Sequence, residues 1–328
     1  MPRIPGHERP LSGFNRSAHP PVHGRWVIAL GLHLLVILTS CTGHRPTDRM
    51  DAAGTVRWGD WKHERLNSIA GTNGWATLVG LLWIEEGRHS LGSAPTADLK
   101  LPEGRAPLHA GDIVRSGSEV RFAATRGVVA TLDGQLAADG ALRSDANEAT
   151  PTLLQLGPLK LFLLQRGERL ALRVKDPEAP TRIHFRGLDY FPYAPGWRIT
   201  GQFEPAPPGR KLPITDVTGA VHEESCPGTI VFTAKGRQQR LDALDDDETH
   251  DLWLVFRDGT SGHSTYGGGR FLHVAKPGAD GRVTIDFNFA YNPPCAFTPF
   301  ATCPLPPRQN HLHIEIPAGE RRYAGGHE

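Results

Sequence analysis

From residue 75 onward the chain is broken into short runs of alternating apolar and polar residues, separated by glycine, proline and aspartate. Nothing constrains the fold more than this punctuation. A period of two with turn residues between the runs is the pattern of half-buried strands, and the 37 glycines and 28 prolines would interrupt long helices. Seven such runs (98–101, 111–114, 119–123, 128–132, 152–156, 159–165 and 170–174) fall in about a hundred residues, which predicts a small β-sandwich. The stretch Asp176-Pro177-Glu178-Ala179-Pro180 marks a boundary. Beyond it, 181–185, 197–203, 229–233, 239–243, 252–256, 269–274, 283–289 and 311–316 predict a second antiparallel sheet, strongly curved or closed into a barrel. The chain is therefore expected to be all-β, with a sandwich over 58–178, a C-terminal β domain over 179–323 and a tail at 324–328. Helical spacing of Trp58, Trp61, Arg65 and Leu66 adds a short amphipathic helix at 59–66.

The first 40 residues do not belong to this fold. Arg3, Arg9, Arg16 and Arg25 precede an apolar run at 26–38, which is short for a membrane span and has the layout of a signal peptide. Leu38-Thr39-Ser40-Cys41 resembles a bacterial lipobox, which implies cleavage before Cys41 and a lipid on its thiol. Thr42 rather than an aspartate follows, which in Gram-negative lipoproteins resembles the default for the outer membrane. Residues 41–57 are then a polar tether. The expected location is the cell envelope, anchored through that lipid. With 36 Lys+Arg against 35 Asp+Glu there is no basic stripe, so nucleic acid is not an expected partner.

Two further resemblances bear on the fold. Residues 87–93, Asp98 and the Leu99-Lys100-Leu101-Pro102 turn are similar in outline to a forkhead-associated sandwich. The phosphothreonine-reading residues of that fold are missing: Ser93 follows Gly92 where arginine is needed, and Asp133-Gly134 replaces Asn-Gly. Phe256-Arg257-Asp258, Thr260-Ser261-Gly262, Thr265-Tyr266-Gly267, 269–272, Asp286-Phe287-Asn288, 290–297, 301–304 and Ala318-Gly319-Glu320 resemble the C-terminal signature of a bacterial domain of unknown function, family 1684. Gly74-Trp75, Trp83, Gly87 and Gly92-Ser93 resemble its N-terminal block, so the likeness spans 58–323 and implies one unit without implying an activity.

The polar residues that could carry function concentrate in the C-terminal half. In 283–289 the apolar Val283, Ile285, Phe287 and Phe289 alternate with Thr284, Asp286 and Asn288, and a stiff loop follows with Tyr291, Asn292, Pro293 and Pro294. Arg257, Asp258, Ser261, Thr265, Tyr266 and Arg270 surround one glycine-rich connection. Turn chemistry alone accounts for such a connection. The same residues would also serve as an arginine that holds a carboxylate or phosphate beside a hydroxyl-rich loop. A buried Asp286 must be paired, and Arg257 or Arg270 is the expected partner within about 4 Å, with Tyr266 or Tyr291 adjacent. Cys295 and Cys303, eight positions apart in an exported chain, predict a disulfide. A zinc pair would need two more ligands, and a nucleophilic Cys295 would need a base and a reducing setting. Cys226 is the odd thiol. His311, His313 and Glu315 share one face of 311–316, which is expected to be exposed strand rather than a zinc site. The acidic run 245–248 lacks the ligand spacing of a calcium loop.

No Gly-x-Ser-x-Gly, Walker, His-Glu-x-x-His or dinucleotide motif occurs, so no cofactor is expected and the sequence names no reaction. The leading expectation is binding of a small polar or anionic ligand by Arg257, Asp258, Ser261, Thr265, Tyr266, Arg270, Asp286, Asn288, Tyr291 and Asn292. The alternatives are a hydrolase that uses Asp286 as acid or base among the arginines and tyrosines, and a structural envelope protein with no ligand.

Overall fold

The computed structural model describes residues 52–146, 150–246 and 249–325. The segment expected to be a leader (1–40), the cysteine expected to be lipidated (Cys41) and 42–51 of the expected tether lie outside the described residues, as do 147–149, Asp247, Glu248 and the last three residues of the tail, while 52–57 of the expected tether are helical. Helix α1 (Ala52–Ala70) is longer than the helix expected at 59–66. It turns Trp58, Trp61, Arg65 and Ile69 toward the body, the i, i+3, i+7 and i+11 positions of one face.

The N-terminal strands follow in chain order: β1 (Leu78–Ile84), β2 (Gly87–Gly92), β3 (Leu99–Lys100), β4 (Gly111–Ser116), β5 (Glu119–Ala124), β6 (Ala130–Leu132), β7 (Gln135–Leu136), β8 (Asp139–Ala141), β9 (Leu153–Leu156), β10 (Leu159–Arg166) and β11 (Arg169–Lys175). One sheet has the order β1-β11-β10-β9-β6-β7 and faces a second of order β3-β2-β4-β5-β8. Period-two alternation puts Leu161, Leu163, Leu170, Leu172 and Val174 of the first sheet against Leu91, Ile113, Val120 and Phe122 of the second, which forms the sandwich core. The opposite face of β10 and β11 carries Leu164, Arg166, Ala171, Arg173 and Lys175, all buried as well. It is covered by the C-terminal half: Arg166 Nε donates to Thr302 Oγ1 at 3.1 Å.

The second half begins with α2 (Pro180–Ile183), where a strand is expected at 181–185. Pro180 fixes φ at a value suited to the first helical turn, and Ile183 and His184 donate back to the carbonyls of Ala179 and Pro180. Then come β12 (Arg198–Pro205), β13 (Lys211–Thr215), β14 (Val221–Ser225), β15 (Gly228–Ala234), β16 (Arg237–Asp245), β17 (Leu252–Phe256), β18 (Arg270–Val274) and β19 (Arg282–Asp286). Six of them form one curled antiparallel sheet, β18-β17-β16-β15-β12-β19, whose edge strands approach each other within 8 Å. The fold is thus all-β, a sandwich followed by a half-barrel. The β13–β14 hairpin was not expected from the sequence; Pro213 and the charged residues of 221–225 hide it, and Leu212 and Ile214 bury its inner face.

Two expected strands do not form in full. The strand at 283–289 stops at Asp286, because Asp286 Oδ1 accepts the Asn288 backbone N–H at 3.1 Å and winds 287–289 into a 3-10 turn. Residues 311–316 keep their alternation without a ladder. Leu312, Ile314 and Ile316 plug the half-barrel among Phe256, Phe287 and Leu272, while His313 and Glu315 face outward. The ladder is missing because the backbone there bonds to loops, as when Gly259 N–H donates to the Ile314 carbonyl at 2.8 Å.

Candidate functional site

Four structural units share out the candidate residues. The first is a knot under the glycine-rich connection. Arg270 and Asp258 are both fully buried and paired at 2.5 Å. Asp258 Oδ1 also accepts from the backbone N–H and the hydroxyl of Thr260, at 2.6 and 2.5 Å. Thr260 and Thr265 hydroxyls meet at 2.9 Å, and Ser261 Oγ accepts the Asp258 N–H at 3.1 Å. Arg270 donates onward to the carbonyls of Ile316 and Ala318, so it pins the plug segment to β18. A buried ion pair bound on both sides to the chain itself braces the fold, although Arg270 Nε is buried without a hydrogen-bond partner among the described residues. Arg257 contributes backbone rather than side chain: its N–H and C=O bond to Asn310 and Leu312. Tyr266 packs, half-buried, between the small apolar clusters around Tyr291 and Phe297.

The second unit is the mouth around Asp286, and its partners differ from those expected. Asp286 takes neither Arg257 nor Arg270, since Arg270 is committed to Asp258. Instead Arg198, directly opposite it on β12, brings Nε to 3.8 Å from Oδ2, and Arg57 of α1 brings Nη2 to 4.0 Å. The tyrosine beside it is Tyr193, whose hydroxyl donates to Oδ2 at 3.4 Å, rather than Tyr266 or Tyr291. Burial, and then the Asp286 charge, push the Tyr193 phenol above its ordinary range, so it stays a neutral donor. Asp286 is 9 % exposed, whereas the Arg57 and Arg198 side chains are 65 % and 56 % exposed. Asn288 holds the rim: its amide donates to Asp286 Oδ1 and the Ala194 carbonyl and accepts the Ala194 N–H. Aromatic rings surround the mouth on the α1 side. Arg57 lies 5.0 Å from the Phe289 centroid, and Trp58 meets Tyr193 edge-on at 5.8 Å.

The third unit joins α1 to the stiff loop. Arg65 Nε donates to Glu320 Oε1 at 2.7 Å and Nη2 to the Asn292 carbonyl at 2.5 Å, and its guanidinium sits 4.7 Å over the Tyr291 ring. The other Glu320 oxygen accepts the Asn292 N–H at 2.8 Å. Gly319, at φ +80°, allows this approach, since a Cβ there would collide with the Ala290 carbonyl. Tyr291 is hydrogen-bonded to His273 Nε2 at 2.7 Å, and His273 Nδ1 lies 3.1 Å from Asp246. Burial drives the Tyr291 phenol well above its ordinary range, so this chain is a buried brace with a neutral hydroxyl.

The fourth is the disulfide Cys295–Cys303, with Cα atoms 6.2 Å apart, which closes the loop against Phe271 and Trp253. Cys226 is a buried free thiol that burial keeps protonated. Among the described residues no group of three or more His, Cys, Asp or Glu converges as metal ligands would.

The structure therefore does not gather the ten candidate residues into one pocket. Asp258, Ser261, Thr265 and Arg270 form the knot; Asp286 and Asn288 form the mouth; Tyr291 and Asn292 form the α1 junction. Sequence reasoning missed Arg57, Tyr193, Arg198, Arg65, His273 and Glu320 as partners. Signals existed for Arg198, which heads the outward-facing register of the strand expected at 197–203, for Arg65 on the amphipathic helix face and for Glu320 in the C-terminal signature, but none of them announced the partner.

A protein from Haloarcula marismortui, solved by NMR and described as uncharacterized, shares 31 % identity over 44 % of this chain and 80 % of its own, with a TM-score of 0.37. The FHA-2 domain of a Mycobacterium tuberculosis ABC transporter shares 15 % identity over 43 % of this chain and 96 % of its own, with a TM-score of 0.22. No curated protein sequence matches the chain. The signature residues of the knot, the mouth and the stiff loop all fall within 183–321, which match the family model of a protein of unknown function, and through this half the chain belongs to DUF1684.

Proposed function

We propose that the chain is a lipid-anchored envelope protein whose C-terminal half binds a small anionic ligand at the Asp286 mouth. One observation carries the ligand site. Two half-exposed guanidinium groups and a phenol converge on one carboxylate oxygen at 3.4–4.0 Å. At that range the guanidinium contacts are charge pairs rather than hydrogen bonds, so the planar N–H forks of Arg57 and Arg198 keep donors for another anion. Carboxylate and phosphate groups match such forks bidentately. Asp286 then sets the position of the cations, and its own charge limits how tightly an anion is held. The knot and the α1 junction are braces in this scheme, because their ion pairs are buried and bound to neighbouring backbone.

The test is calorimetric titration of the full chain with citrate, succinate and inorganic phosphate. Arg198→Gln and Arg57→Gln should each weaken binding by about tenfold, or 1.4 kcal/mol, without a change in melting temperature. Asp286→Asn should tighten it, since the amide keeps the Oδ1 cap and removes the competing charge. Equal affinity of the wild type and the Arg57→Gln/Arg198→Gln double variant for all three anions would refute the site. In that case the mouth braces the fold as the other units do.

A further inference from the structure

The curled sheet has an outer face, and only part of it is covered. On the β17–β18 side Trp253, Val255 and Phe271 lie under the β13–β14 hairpin and the disulfide loop. On the β19–β12–β15–β16 side the outward residues are polar except Val231, and all but Asp286, Thr229, Val231 and Asp242 are exposed. Strand register places them in rows: Arg198 opposite Asp286, Thr200 opposite Thr284, and Arg282 opposite Gln202, which is in turn opposite Val231, itself opposite Arg240. Two adjoining depressions run across this face. One, of about 420 Å³, is lined by Thr200, Gln202, Thr233, Gln238 and Arg282 among others. The second, of about 430 Å³, is lined by Arg210, Thr229, Arg240, Asp242 and Gln309.

We infer that this face is a binding track for an extended acidic polysaccharide. Charge decides the sign of the occupant. Asp286 is matched to Arg198, Glu204 to Arg240 at 2.5 Å, and Asp242 to Arg210 at 2.8 Å. Asp280, at the rim before β19, accepts the Arg282 N–H at 3.0 Å and offsets that arginine, so the positive excess of the face comes from Lys235 and Arg237 of the β15–β16 turn. Spacing decides that the occupant is a chain. Four residues of strand separate the Arg198 and Arg282 rows, about 13 Å, and three strand-to-strand steps separate Arg282 from Arg240, about 14 Å. A single small anion touches one of these arginines; a polymer reaches two or three. The lining decides the chemistry. Threonine hydroxyls and the amides of Gln202, Gln238 and Gln309 offer donors and acceptors to sugar hydroxyls. No outward aromatic ring lies on these four strands on which a base would stack, which disfavours single-stranded nucleic acid. Val231, half-buried, is the one aliphatic side chain in the outward rows between Arg198 and Arg240, so the face is no apolar docking patch. The track shares Arg198 with the Asp286 mouth, whereas Arg240 and Arg282 lie outside it.

The experiment compares an oligogalacturonate octamer with galacturonic acid, a neutral malto-octaose and an octathymidylate, each titrated into the full chain. The acidic octamer should bind at least about tenfold tighter than its monomer through multivalency, and salt should weaken it. Arg240→Gln/Arg282→Gln should lose that gain with an unchanged melting temperature. The same variant should keep the citrate affinity of the wild type, so that failure of the track and failure of the mouth read out separately. The inference is overturned if the octamer binds no tighter than the monomer, if the double variant retains the octamer, or if malto-octaose or octathymidylate binds as tightly.

Discussion

Replacing Asp258 by alanine should be among the most damaging single changes available in this chain. Asp258 and Arg270 are both at 0 % side-chain exposure, so the substitution leaves a buried guanidinium beside Phe256 that keeps the Ile316 and Ala318 carbonyls and loses its counter-charge. Removing one partner of a buried pair costs about 3–5 kcal/mol, because the remaining charge keeps its desolvation penalty without its Coulombic return. Thr260 loses its two bonds to the same carboxylate, which places the expected cost toward the upper end. At about 2–4 °C per kcal/mol for a body of this size, the melting temperature should fall by about 6–20 °C. Urea and thermal melts followed by circular dichroism measure both quantities. The diagnostic comparison is Asp258→Ala/Arg270→Met, which removes both charges and should cost clearly less than the two single substitutions added together. A single-variant cost below about 1 kcal/mol, or full additivity in the double variant, would refute the assignment of this pair as a buried brace.

Reduction of Cys295–Cys303, or Cys295→Ser/Cys303→Ser, should cost about 2.5 kcal/mol by loop entropy, and mass spectrometry of unreduced digests should show the two cysteines linked. The Asp216 carboxyl is pushed up by burial, but His222, the Thr218 N–H and hydroxyl and the Ala220 N–H outweigh this and hold it below the ordinary range; Asp176 is likewise held down by Arg105 against burial. Carboxyls depressed in the folded state stabilise fully above the unfolded value of about 3.9 and lose that contribution as pH falls through the folded values. The melting temperature should therefore hold above about pH 5 and drop below about pH 4, less steeply in Asp216→Asn. Cys41→Ser should leave unprocessed precursor and abolish lipid labelling; an unlipidated mature protein that begins elsewhere would refute the anchor.

The ladders were legible where apolar alternation was clean. Runs 111–114, 159–165, 229–233 and 252–256 all fall within strands, because burial on one face leaves a period-two trace in the residues themselves. The exceptions are places where a short polar side chain or a proline decides the local backbone. Asp286 caps a turn where the alternation continues through Phe289, and Pro180 starts a helix where 181–185 looks extended. The site was less legible for a different reason. Asp286 and Arg270 are sixteen residues apart in sequence and looked like natural partners, yet Arg270 is taken by Asp258, twelve residues before it. Pairing follows three-dimensional proximity, and Arg198 and Arg57 reach Asp286 from β12 and α1, which no local pattern announces.

That α1 supplies Arg57, Trp58 and Arg65 has a consequence for the DUF1684 segment, because all three lie outside 183–321. Glu320, at 0 % exposure, is the last acidic residue of that segment, and its guanidinium partner comes from the helix. Without Arg65 the carboxylate keeps, among the described residues, the Asn292 N–H as its hydrogen-bond donor, and a buried carboxylate so placed is costly. Arg65→Met keeps the aliphatic stem and removes the guanidinium, and with it the Glu320 pair, the bond to the Asn292 carbonyl and the contact over Tyr291, so the part of the loss due to the ion pair is read from the Glu320→Gln recovery below. The expected cost is about 3 kcal/mol, the lower end for breaking a buried pair, since Arg65 is itself 9 % exposed. Glu320→Gln introduced into Arg65→Met should recover part of it, because a neutral amide there needs no counter-charge. Urea melts of the two variants provide the measurement. If Arg65→Met costs under about 0.5 kcal/mol, the helix rests on the C-terminal half without completing it. If the predicted loss and partial recovery are found, the DUF1684 half depends on a helix contributed from ahead of the sandwich.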